Sequence, residues 1–210
     1  MIRQNLKILI VTSVVTILPI FAGVILWNQL PQQLPIHWNA SGEVDGWCTK
    51  PFAVFGMPLI FAAVHWLSML VTLNDPKKQN HSEKILNLIF WIVPMLSIGI
   101  SALTYAVGMG KSVQVGTVVS IFSGLLFVII GNYLPKCKQN YTIGIKLPWT
   151  LSSEDNWNKT HRLTGRIWVI CGLAMILIGF FGSILLTLGI ALVMGLVPFV
   201  YSYVLHRKGV

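Results

Sequence analysis

The side chains that could take part in chemistry are few and scattered along this chain. His37, Glu43 and Asp45 lie close together in sequence, but their spacing matches no known metal-ligand pattern. The segment 110–112, Gly-Lys-Ser, resembles the end of a phosphate-binding loop, yet Tyr105 stands where that motif needs its first glycine. The sequence also lacks the H-E-x-x-H and G-x-S-x-G motifs. It therefore predicts neither an enzyme nor a metal or cofactor site.

One histidine, His65, lies within a long apolar run. An ionisable side chain in hydrocarbon is a functional candidate, because burying it charged and unpaired is costly. The apolar runs contain no acidic residue that could pair with it. We therefore favour a neutral imidazole, hydrogen-bonded to a serine or threonine of a neighbouring helix, over a proton relay.

The composition indicates which elements position these residues. The chain has 210 residues, of which 55% are hydrophobic and 10% charged, and its mean hydropathy is +0.74. This composition excludes a cytosolic enzyme, a disordered chain and a secreted disulfide scaffold. A helix needs about 20 apolar residues to cross a bilayer. The sequence predicts such spans at 8–30, 52–73, 85–107 and 113–134.

A last apolar stretch, 167–205, contains no Asp, Glu, Lys or Arg. As one helix it would be roughly 58 Å long, about twice the hydrocarbon thickness, so it must fold back. We predict the break at 183–189. The predicted fold is an all-α, six-transmembrane helix bundle with a structured outer loop and an inner amphipathic helix.

The basic residues predict the orientation of these spans. With the N-terminus in the cytoplasm, 13 of the 15 Lys and Arg residues face inward, and only Lys50 and Lys111 lie outside. The positive-inside bias therefore favours cytoplasmic N- and C-termini. Topology and attraction to anionic inner-leaflet lipid account for the net charge of +9. The sequence thus predicts membrane lipid as a partner and no direct binding of nucleic acid.

The outer loop, 31–50, has the pattern of a small hairpin. Extended residues around His37 and Trp38 precede a turn at Gly42, and the dipeptide 45–46, Asp-Gly, predicts a second reversal. Trp38 and Trp47 are expected at the headgroup level, where amphipathic rings are favoured.

The inner loop, 135–166, combines an extended segment with a helix. Apolar residues alternate over 141–147, and Ser152 followed by Asp155 predicts a helix start. We expect this helix to run directly into the fifth span. Its aromatic and hydroxyl face carries Trp157, Thr160, His161, Thr164 and Trp168, and its basic face carries Lys159, Arg162 and Arg166. Two interpretations stay open: the basic face marks the membrane interface, or it binds phosphate or a partner.

Many of these residues resemble the signature of the SdpI immunity-protein family, which fixes residue types across positions 131–165. The candidate site residues within it are Asn132, Pro135, Lys136, Lys146, Pro148, Trp149, Thr150, Ser153, Glu154, Trp157, Thr160, His161 and Arg162, and Asn140 belongs to the same pattern. The outer loop, with the motif Leu-Pro-Ile-His-Trp-Asn at 34–39, is similar to the uncharacterised membrane domain that commonly precedes this signature. Lys146 departs from the family pattern, where arginine is more usual, and it cannot form a bidentate fork.

The resemblance implies a bacterial plasma-membrane protein that protects the cell from a secreted, membrane-active peptide toxin. It also implies, for at least one member, that the toxin-loaded protein holds a transcriptional repressor at the membrane. The candidate toxin-facing residues are His37, Trp38, Asn39, Asp45 and Trp47. The signature residues form the candidate cytoplasmic partner site, and His65 is the intramembrane candidate.

We predict two domains: an N-terminal two-helix unit, 1–84, with the outer loop, and a four-helix SdpI-like unit, 85–210, with the inner loop. A small transporter or channel is the rival interpretation, but it needs a polar pathway, and the spans offer only His65 and scattered hydroxyls. An assembly factor for other membrane proteins is a third interpretation. The sequence predicts no oligomeric state.

Overall fold

The computed structural model describes residues 2–181 and 183–210, without the side chains of 2–4 and 184. Arg3, which contributes to the predicted orientation, therefore has its side chain outside the described part. Six of the described helices are long and apolar enough to cross a membrane: Asn5–Ile25, Phe52–Leu73, Glu83–Gly108, Val115–Lys136, Glu154–Gly179 and Leu185–Arg207. The predicted all-α fold with six membrane-spanning helices is confirmed.

The first of two compact units comprises residues up to 74 together with 86–113. It contains α1 (Ile2–Ile25), the strands β1 (Gln33–Trp38) and β2 (Val44–Thr49), α2 (Met57–Leu73) and most of α3 (Glu83–Gly108). A π-helical turn, Phe52–Gly56, leads into α2. One apolar cluster joins Leu9, Met69 and Phe90, and a second joins Leu34, Val54 and Tyr105. These clusters lie at opposite ends of the three helices, because α1 and α3 run antiparallel to α2.

The outer loop forms the predicted hairpin. β1 and β2 pair antiparallel, and Gly42 has a φ of 81° at the turn, where a residue with a side chain would be strained. The predicted second reversal at 45–46 is wrong, because Gly46 pairs with His37 inside the sheet. A Cβ at Gly46 would lie 2.8 Å from the His37 Cβ, so glycine permits this pairing.

The second unit comprises 75–85 and 114–210. It contains α4 (Val115–Tyr133), a 3-10 turn (Leu134–Lys136), α5 (Pro148–Ser152), α6 (Glu154–Gly179) and α7 (Ile184–Arg207). Glycines allow α4 and α6 to approach closely: a Cβ at Gly124 would lie 2.5 Å from the Gly172 carbonyl oxygen, and one at Gly131 would lie 2.8 Å from the Gly165 carbonyl oxygen. The close approach of the two helices therefore extends along α4 from Gly124 to Gly131.

Several predicted boundaries need correction. The N-cap of α6 is Ser153, whose hydroxyl accepts from the Asn156 amide at 3.2 Å, whereas Ser152 ends α5. No strand forms over 141–147, because its backbone groups bond to side chains and Gly144 adopts a φ of 114°. The break in the last apolar stretch falls between Gly179 and Ile184, so Gly189 lies within α7. Membrane helices tolerate glycine in their interior.

The predicted division at 84/85 stays a prediction. The contacts group α3 from Leu86 onward with the first unit and the segment 75–85 with the second. The predicted continuity of the inner helix with the fifth span is confirmed, since α6 runs unbroken from Glu154 to Gly179.

Candidate functional site

The signature residues are organised around a loop, 137–147, that covers the first half of α6. We call this segment the signature loop. At its centre, the Trp157 and His161 rings stack with centroids 4.0 Å apart and an interplanar angle of 21°. Both side chains are buried. The aromatic face predicted for this helix therefore packs against protein.

Hydrogen bonds fix the orientation of both rings. Trp157 Nε1 donates to the Cys137 carbonyl at 2.7 Å, and the Ile145 amide donates to His161 Nε2 at 3.0 Å. Because Nε2 accepts, the proton of the imidazole is assigned to Nδ1, which lies 2.8 Å from the Trp157 carbonyl. His161 is thus a neutral ring that joins the signature loop to the backbone of α6.

Gly144 is the point where the signature loop crosses these rings. A Cβ at this position would collide with His161 Nε2 and would lie 3.1 Å from the Trp157 ring. Its φ of 114° is also a conformation that residues with side chains rarely adopt. The closeness of the two rings and the backbone conformation each require glycine at this position.

The Asn140 side chain is the internal scaffold of the signature loop. Its amide nitrogen donates to the carbonyls of Lys138 (2.8 Å) and Ile143 (3.0 Å), and its oxygen accepts from the amides of Thr142 (2.9 Å) and Ile143 (2.7 Å). The side chain is fully buried. Sequence reasoning placed Asn140 in the family pattern but not among the site residues.

A second segment, 75–85, is bonded to the signature loop through Asp75. The Asp75 carboxylate accepts from the Tyr141 amide (3.0 Å), the Thr142 hydroxyl (2.8 Å) and the Lys77 amide (2.7 Å). His81 Nε2 lies 3.6 Å from the same carboxylate. Sequence reasoning missed Asp75 and His81, because neither belongs to the signature and no motif links them to it.

For both Asp75 and His81, burial and the polar neighbours shift the pKa in opposite directions. Burial alone would raise the pKa of Asp75, but the Thr142, Lys77 and Tyr141 hydrogen bonds and the nearby His81 together lower it below its ordinary value. Burial lowers the pKa of His81, and the attraction of Asp75 offsets only part of that effect. The pair therefore favours a carboxylate beside a neutral imidazole near neutral pH.

Gln139 connects three parts of the site. Its side-chain nitrogen donates to the carbonyls of Thr150 and Leu151, each at 3.0 Å, and its side-chain oxygen accepts from the Lys77 amine. The Asn80 side chain donates to the Gln139 carbonyl at 2.7 Å. Thr150, a predicted site residue, is buried and bonds back to the Ile145 carbonyl at 2.8 Å.

The short helix α5 is anchored to the last turns of α7 by Trp149. The Trp149 ring contacts Phe199, Tyr203 and His206, and its Nε1 donates to the Ser202 hydroxyl at 2.8 Å. The Asn156 side chain reinforces this contact by donating to the Ser202 carbonyl at 3.0 Å.

The structure thus divides the predicted inner site residues by exposure. Thr150, Trp157, Thr160 and His161 are buried, and Trp149 and Ser153 are half-buried. The residues with exposed side chains are Asn132, Pro135, Lys136, Lys146, Pro148, Glu154 and Arg162. Lys146 donates to the Thr142 carbonyl at 2.7 Å. The basic face of α6 is exposed at Lys159, Arg162 and Arg166, as its pattern predicts.

The predicted outer residues lie on the hairpin of the first unit. His37 Nδ1 and Asp45 Oδ1 are 2.5 Å apart on its exposed surface. Trp47 is 54% exposed, whereas Trp38 is half-buried. Asn39 builds the turn, because its side-chain oxygen accepts from the amides of Ser41 and Glu43. Within the described residues, no group of three His, Cys, Asp or Glu side chains could hold a metal ion.

His65 makes the kind of hydrogen bond expected from the sequence. Its Nε2 lies 3.0 Å from the hydroxyl of Thr12 on α1. That hydroxyl donates to the Ile8 carbonyl at 2.8 Å, so its oxygen is available to accept from the imidazole. His65 Nδ1 has no hydrogen-bond partner among the residues the structure describes. The scattered hydroxyls of Thr16, Ser97, Ser101 and Thr104 are also buried in this unit.

The fold and site define a helical membrane protein with six candidate spans, in which the signature loop packs against the start of the fifth span. Residues 136–202 match the model of the SdpI/YfhL protein family, and residues 14–62 match a domain of unknown function, DUF1648. The resemblance to the SdpI family is therefore confirmed, together with the uncharacterised domain expected before it.

A similar protein is Immunity protein SdpI of Bacillus subtilis (strain 168), which is 24% identical over 186 residues. That alignment covers 88% of this chain and 88% of the relative. No solved structure matches the chain.

Proposed function

We propose that this protein is a membrane immunity protein that gives its bacterium resistance to a secreted, membrane-active peptide toxin. The observation that carries the proposal is the 24% identity to an immunity protein across 88% of both chains. The family and the relative carry no enzyme name, and we propose that the protein acts by binding and not by catalysis.

The proposed orientation is a multi-pass protein of the plasma membrane with both termini in the cytoplasm. The hairpin then faces outward, and we propose that it meets the toxin. Three features support this: Trp47 and Ile36 offer apolar side chains that are 54% and 38% exposed, and the His37–Asp45 pair adds an exposed polar group beside them. Peptides that enter membranes carry apolar and charged faces that such a surface can bind. Asn39 acts in shaping the turn.

The signature loop then faces the cytoplasm, and we propose its exposed surface as the site for a transcriptional repressor. A polar cleft of about 450 Å³ supports this, with lining side chains from both segments that form the site: Asn80, Lys138, Gln139, Glu154 and Asn158. Lys146 and Arg162 add exposed positive charge. Signalling by this route needs the toxin to bind two arrangements of the helices with different affinity.

A small transporter or channel is the second candidate. The observation in its favour is the set of buried hydroxyls in the first unit, of which Ser101 and Thr104 have no hydrogen-bond partner among the described residues. A polar path through a helical membrane protein would use such groups. Ion or solute flux into liposomes that contain the purified protein tests this candidate.

The immunity proposal is tested by expressing the chain in a sensitive bacterium and challenging it with membrane-active peptides. We expect survival at peptide concentrations that kill cells carrying an empty vector. Trp47→Ala is expected to reduce that protection, whereas Ser41→Ala, at the exposed tip of the same hairpin, is the matched control. Sensitivity to every peptide at normal membrane levels of the protein would contradict immunity, and equal protection by both variants would remove the hairpin from the toxin site.

A further inference from the structure

A groove on the second unit lies beside the end of α4 and the middle of α6. Its floor is formed where Gly131 and Gly165 face each other and where Pro135 follows α4. A Cβ at Gly165 would lie 2.6 Å from both the Gly131 carbonyl oxygen and Pro135 Cγ. The groove has a volume of about 350 Å³ and opens to the outside of the unit. It is large enough for part of a lipid molecule, but not for a folded partner.

The rim of the groove is polar and positively charged. Asn132 and Arg166 line it, and Lys136 and Arg162 lie next to it in sequence and are exposed. Within the described part of the chain, Lys136, Arg162 and Arg166 form no ion pair with a carboxylate. Arg166 therefore places a positive charge in the groove, and Arg162, one turn earlier on the same face of α6, adds a second nearby. Such cations attract an anion.

The other end of the groove is apolar and lies deeper along the span. Val169 and Ile170 line this end, and Ile170 is 67% exposed. Arg166 is the last charged residue before the uncharged stretch 167–205. The groove therefore begins where α6 passes from polar surroundings into hydrocarbon, which is the level of a phospholipid headgroup.

We propose that this groove binds one anionic phospholipid. The headgroup phosphate lies against Arg166 and Arg162, and the first part of an acyl chain lies over Val169 and Ile170. Charge complementarity favours an anionic over a zwitterionic headgroup. Within the described residues, Arg162 and Arg166 form no ion pair that would have to break before a phosphate binds. The bound lipid would stabilise the α4–α6 contact at the Arg166 end of the groove, and the proposal rests neither on toxin immunity nor on the proposed orientation.

The test uses the purified full chain in detergent and native mass spectrometry. Phosphatidylglycerol and phosphatidylcholine with identical acyl chains are offered in equal amounts. We expect the phosphatidylglycerol adduct to dominate. Arg166→Gln and Arg162→Gln should each reduce that adduct about fivefold, since a basic residue near a membrane surface contributes about 1 kcal/mol to anionic lipid binding. Arg166→Lys should retain most of it.

Arg207→Gln in the last turn of α7 is the matched control, because it removes the same charge outside the groove. Asn132→Asp is a second groove variant at an exposed position that places an anion at the rim and should also weaken the adduct. Equal adducts in Arg166→Gln and Arg207→Gln would overturn the proposal, as would equal retention of the two lipids. If Arg166→Gln lowers the melting temperature, the Asn132→Asp variant becomes the test: a weaker phosphatidylglycerol adduct supports the proposal, and an unchanged adduct overturns it.

Discussion

Trp157 and His161 lie one helical turn apart on α6 and stack face to face, and each ring makes a hydrogen bond to the signature loop. The stack is therefore part of the interior of the second unit and not a surface that a partner can reach. The signature residues therefore fall into two groups, one buried and one exposed. One group packs the signature loop against α6, and the side chains of the other group stay exposed.

We expect Trp157→Ala to destabilise the protein by about 3–5 kcal/mol, since it removes a fully buried ring and leaves the Cys137 carbonyl without its donor. Its melting temperature in detergent and its level in the membrane should both fall. Trp157→Phe keeps most of the packing and should cost less. Asn158→Ala, an exposed change at the next position of α6, should leave stability nearly unchanged. A Trp157→Ala protein as stable as the wild type would contradict the buried stack.

Gly144→Ala should destabilise the protein more than Gly42→Ala. Both glycines have positive φ, so both variants carry backbone strain of about 1–3 kcal/mol. A Cβ at Gly42 would have nothing within 4 Å, whereas one at Gly144 would meet His161 and Trp157. The melting temperature of Gly144→Ala should therefore be the lower of the two. Similar losses would show that strain, and not contact with the rings, requires glycine at 144.

The length of the apolar runs was sufficient to predict the six spans, because each span must present about 20 apolar residues to lipid. The helical period of about 3.6 residues predicts which face of α6 is buried at Trp157, Thr160, His161 and Thr164. These features depend on local pattern, which a single sequence displays in full.

The interior of the signature loop could not be predicted in this way. Its alternating residues suggest a strand, but the amides of Thr142 and Ile143 bond to the Asn140 side chain. Asp75 is 66 residues from Tyr141 in sequence, and no local sequence pattern predicts the hydrogen bond between them. Long-range polar contacts of this kind depend on the packing of the helices that carry them.

The stability of the second unit should decrease as the pH falls below about 6.5. The pKa of His81 is lowered in the folded protein, so the unfolded chain binds more protons in that range and stability rises with pH. The lowered pKa of Asp75 acts in the same direction, and its contribution is lost as the pH falls below the ordinary carboxyl value of about 4. Melting temperatures measured between about pH 5 and 8 should vary less for His81→Gln than for the wild type. An unchanged slope in that variant would exclude His81 as the source.

Asp75→Asn should destabilise the signature loop even at neutral pH. The Tyr141 amide and the Thr142 hydroxyl both donate to one carboxylate oxygen, and the Lys77 amide donates to the other. Asparagine keeps only one oxygen, so either Lys77 or the Tyr141–Thr142 pair would face an NH2 group, at a cost of about 1–3 kcal/mol. Limited proteolysis near the loop and the melting temperature would report this loss. Lys78→Gln, an exposed neighbour, is the control and should behave as the wild type.

The orientation of the chain can be tested by cysteine labelling, but Cys137 is a poor reporter. It is 5% exposed, and burial raises the pKa of its thiol to about 11, so little reactive thiolate forms at neutral pH. We expect it to resist maleimide in intact cells whichever side it faces. Ser152→Cys and Ser41→Cys place exposed thiols next to the signature loop and at the hairpin tip. In a Cys48→Ala background, an impermeant maleimide should label Ser41→Cys in intact cells and Ser152→Cys only after lysis. The reverse pattern would place the signature loop outside the cell and would contradict the proposal of a cytoplasmic repressor site.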